Sequence, residues 1–180
     1  MNTKPTRKMP DFIERRKQHR LPYEHKIIFT DGKKSFAAYA TNISQGGMFV
    51  CSLDPFPIDT RGFLNFMLPA EELSLCVPGK VVHVVFDRQR CEVDNGMGFQ
   101  FSDLSESQQT ILNDHMQSDQ RAYLELQKIL KEERPDAIQI RAWIKKLPHL
   151  THLDLLGLRY KVNRICTIFE PSPAETAMSA

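Results

Sequence analysis

Two short stretches hold the side chains best suited to chemistry. Arg15-Arg16-Lys17-Gln18-His19-Arg20 packs four cations and a histidine into six residues. Arg16 and Arg20 would share a face on a helical turn, and in an extended segment they lie about 13 Å apart at most. A guanidinium group can bond a phosphate or the O6/N7 edge of guanine with two hydrogen bonds, and it can stack on a base. The second stretch is Asn42-Ile43-Ser44-Gln45-Gly46-Gly47. On a strand, Asn42 and Ser44 would share one face while Ile43 points to the core. An amide and a hydroxyl projecting together can satisfy a base edge. Gly46-Gly47 would permit a turn with positive φ and close approach of a flat ligand. Each stretch alone also has a plain reading, a solvated basic arm and a polar β-turn.

The elements that must position these residues are short strands. Glu24–Thr30 runs into Asp31-Gly32, a hairpin signal, and Lys34–Thr41 follows. Gly47–Ser52, Gly62–Leu68, Lys80–Asp87 and Met97–Phe101 complete six, with Asp94-Asn95-Gly96 as the last turn. Six strands with no long helix between them predict a mainly β chain, an antiparallel barrel or sandwich. Helical periodicity starts at Ser105-x-x-Gln108, a capping box. It continues as one long helix, or as two with a kink near Ser118-Asp119. A further helix is expected from Asp136 to Leu147. Leu153–Phe169 is apolar and partly β-branched, and reads as one or two strands. The chain therefore divides into a basic arm (1–22), a barrel with a closing helix (23–116), a helical or mixed extension (117–170) and a disordered tail (171–180).

Composition narrows the function. The 180 residues carry a net charge of +2, but residues 1–26 set eight cations against three carboxylates, a net +5, which leaves −3 for the rest. A basic arm on a slightly acidic body suits a local anionic partner better than the coating of nucleic acid. No apolar run reaches the roughly 20 residues of a membrane span, and the N-terminus lacks the apolar stretch of a secretory signal. Cys51, Cys76, Cys91 and Cys166 lie far apart, as expected of reduced thiols in a cytoplasmic protein.

Taken together and in this order, the two stretches resemble the PilZ-domain family. That family carries R-x-x-x-R on an N-terminal loop and [DN]-x-S-x-x-G on the barrel about twenty residues later. Arg16 to Arg20 and Asn42 to Gly47 supply both motifs complete, and the flanking GGMFV and GMGFQF fit as well. The resemblance covers about residues 12–116. It implies a six-stranded barrel that binds cyclic di-GMP and is not an enzyme. Arg16 and Arg20 would grip phosphates and guanine edges, Asn42 and Ser44 would bond a guanine, and Gly46 and Gly47 would shape the turn. Asn42 offers a neutral oxygen where the family more often has a carboxylate. Arg15 occupies a position associated with binding either one ligand molecule or an intercalated dimer.

Other readings fit less well. The six histidines follow no order that suggests a triad, and Ser44 has no base in reach of the sequence. His149-x-x-His152 with Asp154 could in principle ligate a metal, but such histidines are more often ordinary surface residues. No metal or other cofactor is expected. An adaptor that had lost its ligand would normally lack the motif arginines, which this chain keeps. Contact between the arm and nucleic acid is the third reading. The apolar residues of 117–170 would let the extension pack on the barrel, on a second copy or on a protein partner.

Overall fold

A computed structural model describes residues 19–69, 72–87 and 95–169. Arg15, Arg16, Cys91 and the tail from 171 lie outside the described residues. Six strands run β1 (Leu21–Thr30), β2 (Ser35–Ser44), β3 (Gly47–Cys51), β4 (Arg61–Leu68), β5 (Leu73–Val85) and β6 (Gly96–Phe101). They close into an antiparallel barrel in the order β1-β2-β3-β6-β5-β4. Closure leaves no strand edge unpaired, which an open sheet of these short strands could not achieve. Alternate residues fill the interior: Ile27 and Phe29 on β1, Ala40 on β2, Met48 and Val50 on β3, Leu64 and Leu68 on β4, Val77 and Val81 on β5, and Met97 on β6 are all buried. Phe29 stands at the centre, with ring centroids 4.8 Å from Phe99 and 5.1 Å from Phe56.

β5 is longer than the expected Lys80–Asp87, because Pro78 lies inside it. Pro78 pairs with Phe63 of β4, and its carbonyl accepts from the Ser102 N–H at 3.0 Å. In a strand the N–H and C=O of one residue point to the same side. The missing N–H therefore falls beyond the end of β6, where it removes no ladder bond. The Asp31 turn is also wider than a two-residue hairpin. Asp31 Oδ1 accepts from the N–H groups of Lys33 and Lys34, both at 2.8 Å, while Gly32 takes φ 87°. Those two bonds hold the Asp31 carboxyl below its ordinary pKa.

Three helices follow. α1 (Glu106–Lys131) starts at the Ser105/Gln108 capping box, and Gln108 Nε2 donates to the Cys76 carbonyl at 2.8 Å, tying the helix to β5. It is one helix of 26 residues, with no break at Ser118-Asp119. Asp119 instead turns inward, one turn after His115, with 3.8 Å between His115 Nε2 and Asp119 Oδ2. The helix therefore runs straight through position 116, where sequence alone put the edge of the barrel unit. α2 (Ala137–Ile144) is capped by Asp136.

Leu153–Phe169 is not a strand. It forms α3 (Leu155–Cys166) and a 3-10 turn, Thr167–Phe169. Asp154 caps α3 by accepting from the Gly157 N–H, and Leu158, Val162, Ile165 and Cys166 fall on one buried face. That helical spacing outweighs the modest helix cost of the β-branched residues. α3 packs along α1, where Gln127 Nε2 donates to Asn163 Oδ1 at 3.1 Å and Arg159 Nη2 to the Glu132 carbonyl at 3.1 Å. Lys161 on α3 reaches Glu24 on β1 at 3.0 Å. Barrel and helices bury their apolar side chains in one continuous cluster.

Candidate functional site

β1 and β2 pair with Leu21 opposite Ile43 and Pro22 opposite Asn42. Leu21 and Ile43 enter the core, so Arg20 and Asn42 come together on the outer wall. Arg20 Nη1 donates to Asn42 Oδ1 at 3.4 Å. That is long for an N–H···O bond, a weak contact that a better partner can replace. The last motif arginine and the first residue of the second motif, 22 positions apart, thus meet in space. Arg15, Arg16, Lys17 and Gln18 lie outside the described residues.

Ser44 behaves differently from the expectation. It is buried, and its hydroxyl donates to the Gly47 carbonyl at 3.2 Å. Its main task in this structure is to brace the hairpin between β2 and β3, whose loop is only Gln45-Gly46. Neither Gly46 nor Gly47 takes a positive φ, contrary to the reading of the pair as a left-handed turn. What fixes Gly47 is crowding. A Cβ there would lie 2.0 Å from the Phe99 carbonyl oxygen. The close approach that demands glycine is thus to β6, and the Gly46 carbonyl accepts from the Phe101 N–H at 2.9 Å on the same side.

A model of the PilZ domain matches residues 14–118, which include both motifs and all six strands. The chain belongs to the PilZ-domain family. Three similar solved structures are the Bacillus subtilis inhibitor of motility MotI/DgrA, the PilZ domain of Escherichia coli YcgR with c-di-GMP, and the K. pneumonia MrkH–c-di-GMP complex. They are 22%, 15% and 17% identical, with TM-scores of 0.50, 0.47 and 0.47. The matches cover 57%, 62% and 59% of this chain and 49%, 96% and 52% of theirs, so the chain spans about half the length of MotI/DgrA. No curated protein matches the sequence.

Beside the PilZ motifs, at the barrel mouth, lies a cleft of about 170 Å³. His19, Leu21 and Gln45 form one side of it, and Met116, Gln117, Gln120 and Phe169 the other. The His19 and Phe169 rings meet edge to face with centroids 6.1 Å apart. None of these residues except His19 and Gln45 falls within a motif, and the two glutamines look like ordinary surface polar residues in sequence. Only the third dimension puts them here.

A polar layer lies where the PilZ barrel meets the helices. His149, expected at the surface, is buried, with Nε2 bonded to the Tyr123 hydroxyl. Burial pushes its pKa down to about 4 against a weaker upward pull from Glu24. A neutral imidazole leaves Nε2 free to accept from the phenol, whose own pKa is raised by burial and then by Asp119. His25 on β1 is also held below its ordinary value, first by burial and then by the nearby His115. Among the described residues no group of three His, Cys, Asp or Glu side chains converges as a metal site, and no helix is long and apolar enough to cross a membrane. Cys51 is half-buried and Cys76 exposed, while Cys166 is buried with its Sγ donating to the Tyr123 carbonyl at 3.6 Å.

Proposed function

We propose that this PilZ domain is a non-enzymatic receptor for cyclic di-GMP, and that it relays binding through its helical extension or a protein partner. The observation that carries this reading is the contact between Arg20 and Asn42. A guanidinium and an amide from the two family motifs sit together on the outer wall. The guanidinium offers paired donors to a phosphate or a guanine edge, and the amide offers both a donor and an acceptor. The Arg20–Asn42 bond joins the two motifs across β1 and β2. Arg15 and Arg16 add cationic donors on the arm, and its net +5 attracts an anionic ligand. One ligand molecule or an intercalated pair would be accommodated by the same groups. The setting of such a receptor is the cytoplasm.

Calorimetric titration with cyclic di-GMP, beside a single-stranded oligonucleotide of equal charge, tests the reading. Saturable micromolar or tighter binding of the dinucleotide, and only weak, salt-sensitive binding of the oligonucleotide, is the expected result. Equal binding of both would turn the arm into a general polyanion contact. No binding of either would make the barrel an adaptor.

A further inference from the structure

We propose that the mouth cleft is a second base subsite, in which the α1 residues Gln117 and Gln120 and Phe169 of the 3-10 turn after α3 contact one guanine while Arg20 and Asn42 hold the other on the outer wall. The inference rests on the cyclic di-GMP reading above. It extends the site from the two motifs to a helical unit that neither motif includes.

The chain order sets the geometry. His19 and Leu21 line the cleft, while Arg20 between them reaches Asn42 on the neighbouring strand. Gln45, in the turn between β2 and β3, lines the same cleft. A ligand with two bases joined by a phosphate ring can therefore straddle the base of the arm, with one base on each side. The cleft volume of about 170 Å³ falls below the roughly 300–1,000 Å³ of sites that take a whole small ligand. It suits one base and not the entire dinucleotide.

The lining has the matching chemistry. Leu21 and Met116 make a buried apolar floor for a flat ring, and His19 and Phe169 bring aromatic surfaces on which a base can stack. Three carboxamides, Gln45, Gln117 and Gln120, surround that floor. Each presents a donor and an acceptor, the combination required by the O6, N1–H and N2–H₂ edge of guanine. Among the described residues no Asp, Glu, Lys or Arg lines the cleft. It is thus built for a neutral base, while the phosphates remain with the arginines.

The test uses the full chain with cyclic di-GMP as the probe. Gln117 is exposed and Gln120 half-buried, so changing both to alanine leaves the core intact. Calorimetry on Gln117→Ala/Gln120→Ala should show binding weakened about ten-fold, the scale of losing contacts to one base. In the wild-type complex, NMR should show cross-relaxation between the Met116 methyl and a guanine H8. Affinity within two-fold of wild type and no such signal, in a protein whose binding still depends on Arg20, would overturn the second subsite and leave the receptor reading standing. A wild-type chain that binds no cyclic di-GMP would remove both.

Discussion

Replacing Gly47 with alanine should damage the barrel itself, before any ligand is considered. The added Cβ would lie 2.0 Å from the Phe99 oxygen, 3.1 Å from its carbonyl carbon and 3.3 Å from Gln100 Cα. All three are backbone atoms of β6, so no rotamer change relieves the contact. Reaching even a tight 3.0 Å requires β3 and β6 to part by about 1 Å. That shift would stretch the 2.9 Å bond from the Phe101 N–H to the Gly46 carbonyl past hydrogen-bonding range. One buried bond lost costs about 1–3 kcal/mol, and backbone displacement in a packed core costs a similar amount. The expected destabilisation is about 2–4 kcal/mol, or about 5–15 °C in melting temperature for a chain of this size. Gly98 is the internal control. It sits on the same strand pair, but its Cβ would meet His83 Cβ at 3.4 Å and the His83 oxygen at 3.9 Å, both ordinary contacts. Gly98→Ala should therefore stay within about 0.5 kcal/mol of wild type or gain slightly. Urea and thermal melts of the two variants, without ligand, read the difference. Equal stability for both would refute the assignment of Gly47 to strand packing and return it to the ligand.

Three further outcomes are expected. Ser44→Ala should lose about 1 kcal/mol in urea melts, because the hydroxyl braces the hairpin through Gly47, and its effect on ligand affinity should be smaller than that of Asn42→Ala. His149, with a folded pKa of about 4 against 6.5, lets the unfolded chain take up a proton first as pH falls. Stability should be complete above about pH 6.5 and drop towards pH 4 by on the order of 3 kcal/mol, and His149→Gln should flatten the pH 5–6.5 part of the profile. Arg20→Lys should rescue little of the binding lost in Arg20→Ala, since a lysine restores the charge and not the planar fork.

The barrel was legible because its signals are local. Alternation in Phe63 to Leu68 and the turn residues at Asp31-Gly32 each report on a few neighbouring residues, and six such segments admit few architectures. The first half of β5 is hard to see in sequence, since a proline weakens a strand in isolation and only the position of Ser102 beyond β6 makes Pro78 harmless. The error at α3 is of another kind. Val162 and Ile165 suggest a strand by type, while their spacing from Leu158 and the Asp154 cap indicate a helix. Packing against α1 decides for the spacing. Within the site, the meeting of Arg20 with Asn42 was foreseeable from the motifs. The burial of Ser44 and the backbone contact at Gly47 were not, and the second depends on β6, more than 50 residues further along. Gln117, Gln120 and Phe169 carry no signal in sequence at all.

If the Arg20–Asn42 pair is half of a cyclic di-GMP site, removing the guanidinium must weaken binding of that ligand. Calorimetry of the full chain with cyclic di-GMP, run on wild type and Arg20→Ala side by side, tests it most directly. Loss of a bidentate guanidinium contact costs about 1–3 kcal/mol, so wild type should bind with micromolar or tighter affinity and the variant about ten-fold or more weakly, at unchanged melting temperature. Wild-type affinity in Arg20→Ala would contradict it.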